Sequence, residues 1–333
     1  MNIPVRRLEE IQSIILDGVI PSEFESLALE LFSIHYDHNI VYRQYCDLIR
    51  KDPANFRLQD DIPYLPIRFF RSHEIALSGL ESEFIFKSSG TTGEDRSRHF
   101  VHSLHWYRSN AIRLFEQYFR PLSDLNIYAY LPSYIDRPDS SLIDMVNALG
   151  KCTHKNGTVY FSHTSEIIDY LNSDSPHEND VLFGVSFALL DLASKAAPQN
   201  WDGILIETGG MKRSGRELAK ADLFASLKTM LPQARLCSEY GMTELMSQCY
   251  AEFDLRFMVP DTVKLKFNPI DDPLGRVAHR RIGQINILDL ANLYSCPFIQ
   301  TEDLGIMLED GSFTLEGRIQ DAEIRGCHQL FDE

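Results

Sequence analysis

Apolar residues recur at helical spacing through the first sixty positions. Phe24, Leu27, Leu31 and Phe32 keep to one face after Ser22-Glu23-Phe24-Glu25, a stretch with the spacing of a capping box. A second helix is predicted over 42–50, ending before Pro53. Pro63 and Pro66 then impose an extended stretch over 62–66. Beyond it, short apolar runs at 127–131, 181–185, 204–207 and 284–288 read as buried strands. Helical patterns at 103–119, 142–149, 166–171 and 216–231 lie between them, and Pro232 stops the last before a strand at 235–238. Such alternation predicts α/β layers with largely parallel sheets. No internal repeat, low-complexity tract or flexible linker breaks the pattern. The expected organisation is a helical lead-in, 1–62, packed on a main domain, 63–333.

Bulk properties narrow the chemistry. With 333 residues, 44% of them hydrophobic, the chain can bury one large core or two ordinary ones. No apolar run is long enough to span a membrane. The first sixteen residues carry Arg6, Arg7, Glu9 and Glu10 instead of the apolar centre of a signal peptide. Six cysteines (46, 152, 237, 249, 296 and 327) form no Cys-x-x-Cys pair, which argues against a zinc ribbon or a disulfide scaffold. A cytoplasmic protein is expected. The net charge of −16 disfavours nucleic acid as a partner. It leaves ATP open, because a nucleotide site needs only local donors and a bound cation.

The most informative segment is Lys87-Ser88-Ser89-Gly90-Thr91-Thr92-Gly93, directly after the strand-like Phe84-Ile85-Phe86. Glycines let successive N–H groups point inward, and the hydroxyls add donors, so the loop can fold around an anion. It lacks the Gly-Lys-Ser/Thr ending of a P-loop. A polar surface turn is the simpler alternative. Thr208-Gly209-Gly210-Met211 and Tyr240-Gly241-Met242-Thr243-Glu244 each follow a predicted strand. Open α/β sheets bind ligands beyond such strand ends. Tight turns also need glycines there, and Thr243-Glu244 could equally begin a helix. Further on come Thr301-Glu302-Asp303-Leu304-Gly305 and a Gly317–Gly326 stretch, which could be a hairpin edge with Gly311 and Gly317 as turn residues.

Taken in order, the loop, the Ser238–Glu244 segment, the Thr301–Gly305 segment and the Gly317–Gly326 segment resemble the ATP-site motifs of the adenylate-forming superfamily. The closer resemblance is to the acyl-protein synthetase (LuxE-type) branch, the fatty-acid-activating subunit of bacterial bioluminescence reductases. Thr301-Glu302-Asp303-Leu304-Gly305, Asp289-Leu290-Ala291-Asn292 and Glu323-Ile324-Arg325-Gly326-Cys327 carry it. It runs from about Pro63 to the C-terminus. The implied fold is α/β, with layered sheets and flanking helices like the N-terminal domain of adenylate-forming enzymes. The usual small C-terminal domain and its catalytic lysine are expected to be lacking, since few residues follow Gly326.

The resemblance also implies roles. Ser88, Ser89, Gly90, Thr91, Thr92 and Gly93 would contact the β and γ phosphates of ATP. Most relatives follow this loop with Pro-Lys. Here Glu94-Asp95-Arg96-Ser97-Arg98-His99 stands instead, so Arg96 or Arg98 would supply the charge. Gly209 and Gly210 would let the backbone approach the nucleotide or acyl group. In the segment with Gly241 and Met242, Tyr240 would stack on adenine, Thr243 would reach the α-phosphate and Glu244 would hold Mg²⁺. Asp303 would accept from the ribose hydroxyls, Arg318 would reach ribose or phosphate, and Asp321 would be a hinge. His105, Trp106, Tyr134, Ser140 and Ser141 are candidates for the carboxylate pocket.

Cys327 would be the acyl acceptor, its thiolate helped by Arg325 and His328. The expected activity is that of an acid–thiol ligase, long-chain-fatty-acid–protein ligase-like and AMP-forming. It would use ATP and Mg²⁺ to make an acyl-adenylate of a fatty acid and pass the acyl group to a protein thiol as a thioester. An acyl-CoA-reductase-like or acyl-carrier protein would be the partner. An aryl- or acyl-CoA ligase, a carrier-protein-loading enzyme and a degenerate nucleotide-binding module remain alternatives.

Overall fold

The helical periodicity of the N-terminus folds as α1 (Val5–Asp17), α2 (Pro21–His38) and α3 (Ile40–Leu48). Phe24, Leu27, Leu31 and Phe32 are all buried, as their spacing requires. The capping box predicted at Ser22 does not form. Pro21 occupies the first turn and Ile20 is the cap residue, so Ser22 lies inside the helix. Proline needs no N–H partner there and has helical φ already, which lets the helix start earlier. The next helix also begins earlier than predicted, because Asn39 caps it, its Oδ1 accepting from Tyr42 N at 3.0 Å.

In this computed structural model the described residues are 3–55, 61–89, 96–132, 134–173, 176–209, 220–272, 275, 277 and 280–319. After the helices come β1 (Leu65–Pro66), α4 (Phe69–Ser72) and the antiparallel pair β2 (Phe84–Lys87) and β3 (Arg98–Val101). The middle of the chain alternates: α5 (Leu104–Tyr118), β4 (Asn126–Tyr130), α6 (Ser141–Lys151), β5 (Thr158–Tyr160), α7 (Thr164–Leu171), β6 (Asp180–Val185), α8 (Ser186–Lys195), β7 (Ile204–Thr208), α9 (Lys220–Met230) and β8 (Arg235–Tyr240). The remainder is strand: β9 (Cys249–Ala251), β10 (Phe257–Met258), β11 (Val263–Asn268), β12 (Gly283–Asp289), β13 (Phe298–Met307) and β14 (Phe313–Arg318). Among the described residues no helix is long and apolar enough to cross a membrane.

The chain forms two units. The first comprises Met1–Asn110, Thr243–Ser247 and Met258–Glu333, and the second Ala111–Met242 and Gln248–Phe257. In the second, the strands lie in the order β9-β8-β7-β6-β4-β5, parallel from β5 to β8, with β9 antiparallel at one side. β6 and β7 are buried at every position, so they read in sequence as continuous apolar runs.

In the first unit β11, β12, β13 and β14 are antiparallel, and β1 adds parallel to β13. The expectation of largely parallel sheets therefore holds for the second unit and fails for the first. There β13 and β14 are joined by a short turn through Gly311 (φ 85°), whereas a parallel pair needs a long crossover.

The helices of the first unit pack on Phe298. Its ring stacks on Tyr42 at 5.5 Å, and Phe32 and His35 meet it edge-on at 6.1 and 6.2 Å. Burial lowers the His35 pKa to about 3, so the ring is neutral, and its Nε2 donates to Leu293 O at 3.1 Å. A Phe298→Ala variant is expected to lose about 3–5 kcal/mol, read from urea unfolding. Phe298→Leu should lose clearly less.

Candidate nucleotide-binding site

In the first unit, the stretch from β12 into β13 is irregular between Asp289 and Phe298 and yet buried throughout. A buried loop must find partners for its backbone groups within the protein. Here they come from distant side chains and strands. Trp106 Nε1 donates to Ala291 O at 2.8 Å, His35 reaches Leu293 O, and Leu77 N donates to Tyr294 O at 2.9 Å. Asn39 Nδ2 donates to Ser295 O at 2.9 Å, and Ser295 Oγ donates to Ile75 O at 2.8 Å.

The same stretch holds the Thr243–Ser247 segment. Asp289 is fully buried and accepts from four donors: Met246 N (2.9 Å), Ser247 N (3.0 Å), Ser247 Oγ (2.7 Å) and Ala291 N (3.1 Å). Burial still pushes its carboxyl pKa up, against those donors. Asn292 Nδ2 donates to Glu244 O at 2.8 Å. His99 on β3 places Nδ1 2.7 Å from Thr243 O and Nε2 3.2 Å from Asn292 Oδ1. Nδ1 must carry a proton to donate to that carbonyl. Burial holds the His99 pKa down to about 4 although both oxygens pull it upward. Asn110 Nδ2 completes the grip on Met246 O at 2.9 Å.

The neck of the Ser/Thr/Gly loop is also defined. Ser88 N donates to Ser97 O, and Ser97 N donates to Ser88 Oγ, both at 3.0 Å. Arg96 Nε donates to Ser88 O at 2.6 Å and its Nη2 to Lys87 O at 3.2 Å. The Arg98 guanidinium lies over the Phe100 ring, 5.6 Å from its centre. Gly90, Thr91, Thr92 and Gly93 lie outside the described residues. Asp303 and Arg318, both expected near ribose, face each other across β13 and β14. Arg318 Nε donates to Asp303 Oδ1 at 2.6 Å.

In the second unit, Tyr240 ends β8 and is buried edge-on to Phe257, 5.9 Å between rings. A side chain at Gly241 would begin 2.2 Å from Glu239 Oε1, so only glycine leaves that carboxyl its place. Gly209 follows β7 with φ 83°, a conformation glycine reaches without strain. Gly210 is outside the described residues.

Two buried glutamates at these strand ends were not found by sequence reading. Glu207 receives Ser186 Oγ and Ser238 Oγ (2.7 Å) and pairs with Lys220 Nζ at 2.9 Å. Thr208 Oγ1 donates to Glu239. Burial raises the Glu239 pKa to about 7, aided by the charge of Glu207 and opposed by Thr208 and Lys220. A lone Glu in an apolar strand gives no sign of such pairing until the strand order is known.

The pocket candidates separate. Trp106 is buried with its indole spent on Ala291, and Ser140 caps α6. Tyr134 stacks under Arg137 at 5.4 Å beside an open groove of about 470 Å³, lined by Ile135, Asp136, Pro138, Ile143, Asp144 and Asn147. None of the motif residues lines it. Ser173, His177 and Asp180 align at 3.0 and 2.8 Å in the order of a hydrolytic triad. Asp180 is also held by Asn126 and Tyr170, at the first residue of β6, and the alignment ties α7 to the sheet.

Cys46, Cys237, Cys249 and Cys296 are buried, and burial lifts the Cys46 thiol to about 12. Cys152 is exposed, and Cys327, Asp321, Arg325 and His328 are outside the described residues.

Glu239 provides a pH test. Its raised pKa favours the protonated form in the folded chain. Its stabilising contribution is present below the ordinary value of 4.5 and is lost as pH rises toward 7. Relative to Glu239→Gln, the parent chain should therefore lose on the order of 3 kcal/mol between about pH 4.5 and 7. Urea midpoints of both proteins across that range measure it.

Comparison with known proteins bears on this geometry. The sequence profile of the acyl-protein synthetase (LuxE) family matches residues 22–102. No curated protein matches the chain. Among solved structures, 2-hydroxyisobutyryl-CoA ligase with its 2-HIB-AMP superposes with a TM-score of 0.66 at 12% identity, over 91% of this chain and 70% of that one. O-succinylbenzoate coenzyme A synthetase (MenE) from Bacillus subtilis, with ATP and magnesium ion, gives 0.51 at 15% identity, over 71% and 50%. ATP-bound MatB from Rhodopseudomonas palustris gives 0.51 at 17%, over 70% and 47%. The chain thus spans about half the length of the MenE and MatB structures. Residues 22–102 are thus similar in sequence to the LuxE acyl-protein synthetase family, on a chain with the fold of adenylate-forming enzymes.

Proposed function

We propose that this protein activates a carboxylic acid, a fatty acid by its family resemblance, with ATP and passes the acyl group to a thiol. The observation that carries the reading lies within the first unit. There β3, which leaves the Ser/Thr/Gly loop, is hydrogen-bonded through His99 to Thr243, beside Glu244. That bond ties the strand following the loop to the residue before Glu244, which supports reading the two motifs as parts of one site.

In the first step a carboxylate oxygen bonds to the α-phosphorus, and the bond to the β-phosphate oxygen breaks, releasing pyrophosphate. Ser88 to Gly93 bind the departing phosphates, and Arg96, fixed at the neck of their loop, adds positive charge. Thr243 donates to the α-phosphate, and Asp303 and Arg318 orient the ribose. Holding both anions in one geometry converts their meeting into an effectively unimolecular event. In the second step a thiolate attacks the acyl carbon, a thioester forms and AMP leaves. The proton of the thiol passes to a base or to water. Cys327 is the proposed first acceptor, giving an acyl-protein thioester that an acyl-CoA-reductase-like or carrier protein can receive.

Glu244 would hold the magnesium ion. Among the described residues no three His, Cys, Asp or Glu side chains converge as a cage. One buried carboxylate, that of Glu244, instead fits a small cation that takes most of its oxygens from phosphate and water. When bound, Mg²⁺ would offset the phosphate charge.

Carboxylate-dependent ATP–pyrophosphate exchange, run with Mg²⁺ across short, long-chain and aromatic acids, tests the reading. Exchange with long-chain acids, followed by a thioester on Cys327, is the expected result. Exchange only with aromatic acids, coupled to coenzyme A, would point to a CoA ligase; ATP binding without exchange would point to a degenerate module. Glu244→Gln should lower the exchange rate about tenfold or more, roughly 1.4 kcal/mol. Unchanged exchange would remove Glu244 from the metal site.

A further inference from the structure

Asp289-Leu290-Ala291-Asn292 stands out in sequence, but the roles above leave it unused. We infer that Asn292 and His99 are positioning residues that preset the Thr243–Glu244 backbone for magnesium-bound ATP, with Asp289 anchoring the other end of the same turn. The inference rests on the proposed function and adds two residues to it.

The argument is one of backbone accounting. Segment 243–247 belongs to no helix or strand, and Glu244 and its followers are buried. Its polar groups are taken up one after another by side chains from other elements. His99 takes the Thr243 carbonyl, Asn292 the Glu244 carbonyl, Asn110 the Met246 carbonyl, and Asp289 the Met246 and Ser247 amides. Asn292 and His99 are 1% exposed, and they also touch each other. The two peptide groups flanking the Glu244 side chain are therefore fixed from one direction by β3 and from another by the chain after β12. Fixing a carbonyl on each side restricts where the Glu244 Cα–Cβ bond can aim. A carboxylate aimed in advance loses less freedom when a cation binds. Because β3 is also the strand that leaves the Ser/Thr/Gly loop, His99 sets the distance between that strand and Thr243.

Neither residue touches substrate in this scheme, so the readout must differ from that of a bond that merely supports the fold. Isothermal titration of Mg·ATP into the full chain, beside urea unfolding and exchange kinetics, provides one. Asn292→Ala and His99→Ala are expected to weaken Mg·ATP binding about tenfold to a hundredfold. The KM for the acid should stay within about twofold. His99→Gln, whose amide can still donate to Thr243 O, should recover part of the loss. Ser295→Ala breaks a bond of the same buried stretch to Ile75, and should lower the urea midpoint without weakening Mg·ATP binding.

Mg·ATP affinity in Asn292→Ala and His99→Ala within twofold of the parent would overturn the inference. So would losses matched by Ser295→Ala at equal loss of stability. Should the alanine variants not fold, hydrogen exchange on the unaltered chain decides. Slow exchange at Met246 and Ser247 that Mg·ATP leaves unchanged supports a preset turn. Fast exchange that becomes slow only with Mg·ATP refutes it. A parent chain that binds no Mg·ATP overturns the proposed function as well, which separates the two failures.

Discussion

Irregular backbone inside a protein must have a hydrogen-bond partner for nearly every N–H and C=O, and this constraint organises the first unit. Residues 290–297 are buried and outside regular structure. Each satisfied bond contributes only about 1 kcal/mol net, but a buried group left without one costs about 1–3 kcal/mol. The stretch is therefore stable only when Asn39, His35, Trp106 and the strand edges around it are all in place. Its rigidity comes from that penalty. Apolar packing on Phe298 adds bulk, and the polar bonds fix the register.

Buried carboxylates are met in different ways, as one example from each unit shows. In the first, Asp289 meets four donors and, among the described residues, no cation, so its negative charge is spread over backbone amides and one hydroxyl. In the second, Glu207 and Glu239 share one lysine, and the carboxyl at Glu239 yields by holding its proton near neutrality. Full ionisation of both would place two negative charges against a single positive one in a low dielectric. These three buried carboxylates are thus offset by amide and hydroxyl donors, by a lysine or by a retained proton.

Much of this was legible in the sequence. Buried parallel strands announce themselves as apolar runs in β4, β6 and β7, and Pro232 marks the approach to β8, so all four fall close to their predicted places. The family resemblance names both Asp303 and Arg318, and the β13–β14 register puts them opposite one another. Three kinds of feature were hidden. Proline at the start of α2 displaced the Ser22 cap, a competition that spacing alone does not resolve. The antiparallel half was read as parallel, since strand direction depends on connections. His99, Asn292 and Glu239 look ordinary one by one. Their roles depend on contacts with residues more than a hundred positions away, or on a neighbouring strand, which periodicity cannot register.

The second unit is inserted into the first: Asn110 and Thr243 belong to one body, while nearly everything between them belongs to the other. This has a consequence for how the protein is made. On a ribosome, α1 to α3 emerge early with Phe24, Leu27, Leu31 and Phe32 on one face, but Phe298, on which the bundle packs, arrives more than two hundred residues later. At about 5–20 residues per second, that interval is on the order of ten seconds or more. The parallel strands can complete in the meantime, because their partners are contiguous in the chain. The N-terminal helices must wait with apolar surface uncovered, and the nascent protein depends during that interval on chaperone cover or on dilution.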